Sequence, residues 1–129
     1  MPYIADTHSL VWYFTSDPRL SPKVLEIFRS SAAGREIIVI PTIVLGEILY
    51  ISEARRTPIS FRDVLSKIEA GDNYEIAPLD LSVLKAASEI QVKLEMHDRF
   101  IVATAKVLGI PLLTKDEAIT AAGIVEVVW

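Results

Sequence analysis

The stretch Ile37-Ile38-Val39-Ile40-Pro41-Thr42-Ile43-Val44-Leu45-Gly46-Glu47-Ile48-Leu49-Tyr50-Ile51 decides the fold. Its first four residues are β-branched with no polar break, the pattern of a strand covered on both faces in a parallel sheet. Pro41-Thr42 then opens a helix predicted to reach about Arg55. Working outward, the same alternation recurs. Upstream, Tyr3-Ile4-Ala5 reads as a short strand ending at Asp6, followed by an apolar helix from Thr7 to Phe14. Asp17-Pro18 marks a turn. Ser21-Pro22 supplies an N-cap and a first-position proline for a helix that runs to about Ala33 and stops at Gly34. Downstream, Ser60-Phe61-Arg62-Asp63 resembles a capping box and starts a helix to about Ala70. Tyr74 to Ala77 reads as a strand, Leu81 to Leu94 as an amphipathic helix, and Asp98 to Leu108 as an almost wholly apolar helix ended by Gly109. Pro111 to Thr114 and Val125 to Val128 are the last two strands. Between them Thr114-Lys115-Asp116-Glu117 has the capping-box pattern, with Thr114 as the expected cap. Strands alternating with helices imply a three-layer α/β/α domain around a mostly parallel sheet.

The bulk properties narrow the function. The chain has 129 residues, expected to form one domain over 1–129. It has no cysteine, which excludes disulfides, thiolate zinc sites and cysteine nucleophiles. No apolar run approaches the ~20 residues of a membrane span, and the first residues lack the layout of a signal peptide. The cytoplasm is therefore the expected location. Net charge is −4. That is unlike a simple electrostatic nucleic-acid binder, which needs clustered Lys and Arg.

Four carboxylates carry the functional reading. In a parallel α/β sheet, ligands bind beyond the carboxyl ends of the strands. Asp6 sits at such an end, although it reads equally well as a helix N-cap. Glu47 lies in an apolar helix, where a carboxylate is costly unless paired, either with an Arg or with something else. Gly46 beside it reads as room for close backbone approach. Asp98 opens the second apolar helix, where the helix dipole alone gives it a reason to be. Asp116 follows a strand, and with Thr114 and Glu117 forming the capping box it has no need to act as a cap. Four carboxylates converging without a counterion would repel one another. A divalent cation resolves the conflict, and an all-oxygen set favours Mg²⁺, or Mn²⁺, over zinc. Such an ion would also recruit a phosphate substrate to an acidic chain. His8 and His97 do not suggest a zinc site.

The segments Ala5-Asp6-Thr7-His8-Ser9-Leu10-Val11-Trp12, Leu45-Gly46-Glu47-Ile48, His97-Asp98-Arg99-Phe100-Ile101-Val102-Ala103-Thr104-Ala105 and Leu112-Leu113-Thr114-Lys115-Asp116 resemble those of PIN-domain nucleases, and specifically VapC-type toxins of toxin–antitoxin pairs. They run in the family's order across nearly the whole chain. The resemblance implies that Asp6, Glu47, Asp98 and Asp116 occupy the family's four acidic positions and that Thr114 supports the site. It also implies a metal-dependent endoribonuclease, a homodimer and a small antitoxin partner. One departure is Glu95-Met96-His97-Asp98-Arg99, where many relatives carry Asp-Pro-x-Asp-Arg. Glu95 reads as a solvated helix end rather than a fifth acid at the metal.

The expected chemistry has Asp6, Asp98 and Asp116 as metal ligands and Glu47 as base or water-positioning group. Arg19, Lys23, Arg99 and Lys115 are candidate substrate contacts, each also readable as an ordinary solvated charge. The cluster Leu10-Val11-Trp12-Tyr13-Phe14 reads as half core and half partner contact. Two alternatives stand beside this reading. One is a catalytically inactive PIN-fold module that binds RNA or protein. The other is a phosphotransfer domain; a phosphatase of that kind needs a second Asp where His8 stands, and a receiver needs an acidic pair after strand one.

Overall fold

The structure is a computed structural model that describes residues 1–55 and 57–129. Its elements run β1 (Pro2–Ala5), α1 (Thr7–Phe14), α2 (Pro22–Ala32), β2 (Ile37–Pro41), α3 (Thr42–Ala54), α4 (Phe61–Ala70), β3 (Tyr74–Ala77), α5 (Leu81–Glu89), α6 (Met96–Leu108), β4 (Leu112–Leu113), α7 (Glu117–Ala122) and β5 (Val127–Val128). Most helix starts follow side chains that cap them, α3 and α6 being the exceptions. Ser21 accepts from the Val24 amide, Ser60 from Asp63 and Asp80 from Val83. α2 ends at Gly34 and α6 at Gly109, both with positive φ, a conformation that glycine adopts without a Cβ penalty.

The five strands form one sheet in the order β3-β2-β1-β4-β5, and every pairing is parallel. The expected α/β/α architecture is therefore the observed one. Each parallel step needs a helical crossover, and right-handed crossovers place the helices leading leftward from β1 and those leading rightward from β3 on opposite faces. Both faces are covered, so Ile4, Ile38, Ile40, Leu112 and Leu113 have no exposed surface. Each such aliphatic side chain contributes on the order of 1.5–3 kcal/mol by burial. The middle of α6 is hidden all round, from Ile101 to Ala105. No helix among the described residues is long and apolar enough to cross a membrane.

Two details differ from expectation, with identifiable causes. α5 ends at Glu89 rather than near Leu94. Arg99 on α6 donates through Nε to the Ala87 carbonyl at 2.7 Å and through a terminal nitrogen to the Ile90 carbonyl at 3.0 Å, closing the helix end. Ile90 itself turns extended and is buried. Gly46 was expected to allow close backbone approach, yet a Cβ built there would meet nothing within 4 Å. Within the chain, its lack of a side chain serves no packing purpose.

Candidate functional site

Strand order reverses at β1. The chain moves from β1 through β2 to β3 on one side, then returns to lay β4 and β5 on the other. The crevice beyond the carboxyl ends of β1 and β4 is thus the topological switch point, where open α/β sheets bind ligands. Asp6 follows β1 and Asp116 follows β4, so the two flank that crevice from distant parts of the sequence. Glu47 on α3 and Asp98 on α6 complete a small pocket of about 100 Å³, lined also by Thr7, His8, Glu95, His97 and Ile101. All four expected carboxylates are brought together.

Asp6 is almost fully buried, with 7 % of its surface exposed. Its Oδ1 accepts from the Ser9 amide at 2.8 Å, and the Ser9 hydroxyl donates to the Asp6 carbonyl. Asp6 is therefore both the N-cap of α1 and a wall of the pocket; the two readings of this residue hold together. Burial pushes its carboxyl above the usual range, against the opposing pull of hydrogen bonds from the buried Thr114 hydroxyl and from Ser9, and of nearby His8.

Asp116 corrects an expectation. It is the N-cap of α7: its Oδ1 accepts from the Ile119 amide at 2.9 Å. Thr114 does not cap the helix; its hydroxyl accepts from the Asp116 amide at 3.1 Å and faces Asp6. The helix starts two residues later than the pattern suggested, because Thr114 still continues the strand pairing, its amide donating to the Val128 carbonyl. Thr114 thus links the two strand-end acids.

Glu47 is half-buried and accepts a 2.7 Å hydrogen bond on Oε1 from the Thr7 hydroxyl. No Arg pairs with it among the described residues. Asp98 lies in the first turn of α6, two residues inside its start at Met96, rather than at the opening. It is half-buried and is pushed up to about 6 by desolvation and then by Asp116, Glu95, Glu47 and Asp6, in that order. Four other acids thus bear on Asp98 across this pocket. Glu95 is solvated as expected, with 76 % of its side chain exposed, yet it borders the pocket and acts on Asp98.

Sequence reasoning gave no role to Thr7, His8 or His97, all of which line the pocket. The signal for Thr7 and His8 was their position directly after Asp6; only tertiary contact with α3 and α6 gives it meaning. Among the proposed substrate contacts, Arg99 is spent on the carbonyls that end α5. Arg19 is tied to Asp17 by two hydrogen bonds.

The donor chemistry fits a hard divalent cation. The pocket offers carboxylate oxygens and no sulfur, and among the described residues no Lys or Arg pairs with any of them; only His97 approaches one, Glu95, at 3.8 Å. No group of three or more histidine, aspartate or glutamate side chains among the described residues is placed so as to hold a metal ion.

A parallel sheet of this order with acids at its switch point defines a class of α/β domain, and the comparisons make the family specific. The PIN domain profile matches residues 3–124, and the chain belongs to the PIN domain family. No curated protein sequence matches it. Among solved structures, it is similar to a chain of the Rickettsia felis VapBC2 complex bound to a fragment of its promoter DNA, with a TM-score of 0.75 and 18% identity over 99% of this chain and 98% of that one. A chain of DNA-bound VapBC from Salmonella typhimurium gives a TM-score of 0.74 at 16% identity, covering 99% and 97%. Mycobacterium tuberculosis VapC20, a toxin that cleaves the sarcin–ricin loop, gives 0.67 at 18%, covering 96% and 97%. At such identities the likeness is one of fold.

Proposed function

We propose that residues 1–129 act as one metal-dependent endoribonuclease, the toxin of a toxin–antitoxin pair. One observation carries the reading: four carboxylates from four separate elements meet at the switch point of a PIN fold, and no cationic side chain among the described residues neutralises them. The similarity to chains of VapBC complexes supports an antitoxin partner, and the similarity to a toxin that cleaves the sarcin–ricin loop supports an RNA target; the homodimer and the cytoplasmic location are carried over from the family resemblance.

In this reading Asp6, Asp98 and Asp116 hold Mg²⁺ or Mn²⁺, directly or through water. A bound divalent ion there acidifies water and offsets charge on the phosphate. The side chains prepare the rest. Asp6 and Asp116 each keep one carboxylate oxygen fixed by a backbone amide, which leaves the other turned to the pocket in a defined position. Thr7 fixes one oxygen of Glu47, so the second is free to accept the proton of an attacking water. Attack by water on phosphorus breaks the bond to the 3′ oxygen and leaves a 5′-phosphate and a 3′-hydroxyl. No 2′-hydroxyl is consumed, so the choice of RNA rests with binding.

The test is cleavage of cellular RNA by purified protein, with and without EDTA, followed by sequencing of new 5′ ends. Chelator-sensitive cleavage that Asp6→Asn abolishes is expected. Undiminished cleavage by Asp6→Asn would remove Asp6 from the mechanism. A chain that takes up no Mg²⁺ or Mn²⁺ in calorimetry would instead be an inactive PIN-fold binding module.

A further inference from the structure

The rim of the acidic pocket carries a group of flat side chains that the hydrolytic chemistry does not use. His8 lines the pocket and is exposed. Its ring centroid lies 5.5 Å from that of Trp12, tilted by 39°. The two are four apart on α1 and so share one helix face. Behind them the Arg19 guanidinium sits 4.7 Å over the Trp12 ring, held there by Asp17. Trp129 meets Trp12 edge-on at 5.9 Å. Trp12 is hemmed in by these three neighbours; Arg19 is exposed as well, but His8 is the exposed member that borders the carboxylates.

An exposed ring with a packed aromatic backing is held in orientation, as a free surface histidine is not. Unpaired bases in RNA are read by stacking on such rings, histidine included, and stacking needs no positive charge. That matters here, because the pocket's own carboxylates repel phosphates. We propose that His8 is the platform on which an unpaired base stacks beside the scissile phosphate, with Trp12, Arg19 and Trp129 holding it in place. This rests on the nuclease reading of the pocket. The platform favours single strands, whose bases are free to stack, and purines, whose rings cover it more fully.

The chain's only tryptophans are Trp12 and Trp129, so intrinsic fluorescence reports on this group alone. The Asp98→Asn protein, which does not need to cleave, is titrated with single-stranded oligoadenylate, oligouridylate and an RNA duplex in magnesium buffer. Oligoadenylate is expected to change the emission and to bind tightest. His8→Ala in that background should weaken it by about tenfold, while His8→Phe keeps the affinity, the range expected for one stacked base. Melting curves check that both variants fold. Unchanged affinity in His8→Ala, or duplex binding as tight as single-strand binding, overturns the platform. Should the parent chain show no metal-dependent cleavage while His8 still governs affinity, the hydrolytic reading fails and the platform stands.

Discussion

The acids at the strand ends and the acids on the helices reach the same pocket at different energetic cost. Asp6 and Asp116 each cap a helix, so folding uses one oxygen of each, although burial works against the charge of Asp6. Asp98 caps nothing and is pushed up to about 6, first by desolvation and then by its acidic neighbours. Folding works against that charge. Glu47 is steadied by one hydroxyl from Thr7. The difference teaches that a carboxylate at a strand end has a structural reason to be there, whereas one set into a helix flank at the pocket is strained until a cation arrives.

The largest effects should fall on activity. Glu47→Gln is expected to lower kcat by about 10²–10⁴-fold, the range for a lost general base, with metal affinity little changed in calorimetry. Asp98→Asn should lose both cleavage and metal affinity. Thr7→Val, which frees Glu47, should fall between these and the parent in single-turnover assays.

Stability then separates the two pairs. A raised pKa means the fold prefers the protonated carboxyl. The stability tied to that preference is present below the unfolded value of 3.8 and is lost as pH rises through about 6. At neutral pH, Asp98→Asn should therefore stabilise the metal-free protein, by about 1 kcal/mol once the shift is discounted for solvent screening. Asp6→Ala and Asp116→Ala should destabilise by about 1 kcal/mol each through the lost cap, and the Asn variants by much less, because Asn caps as well as Asp. Urea titration without metal measures all of these. A loss of stability in Asp98→Asn would break the comparison.

Smaller effects lie away from the pocket. Gly46→Ala should stabilise α3 by up to about 1 kcal/mol, the helix-propensity gain where nothing is met within 4 Å. A destabilised variant would mean that a partner surface packs there. Burial, with a smaller push from Tyr13, holds the Tyr74 phenol at about 12. The unfolded chain ionises near the ordinary 10.0, so stability should fall as pH climbs from there through about 12. Ultraviolet titration should show one tyrosine ionising late, and Tyr74→Phe should remove that step.

Much of the fold was legible because its signals are local. The β-branched run Ile37 to Ile40, Ser21 before Pro22, and Gly34 and Gly109 each dictate structure from within a few residues. What misled was also local. Thr114 and Glu117 matched a capping box, but the strand ladder holds the Thr114 amide and gives the cap to Asp116. Leu81 to Leu94 had helical periodicity throughout, but Arg99, distant in sequence, ends the helix early. A substrate contact and a helix clamp look alike in a string of letters.

By itself, the sequence determined that strands and helices alternate, that three acids stand near element ends and that a fourth interrupts an apolar helix. Tertiary structure alone decided that those acids form one pocket. Placing β4 beside β1 brings Asp116 to Asp6 from the far end of the chain, and packing α3 and α6 at the same edge adds Glu47 and Asp98. Periodicity and capping act over one or two turns, whereas strand order is set by which apolar faces can be buried together. The charge conflict at Asp98, the feature that most calls for a cation, exists only after that order is fixed.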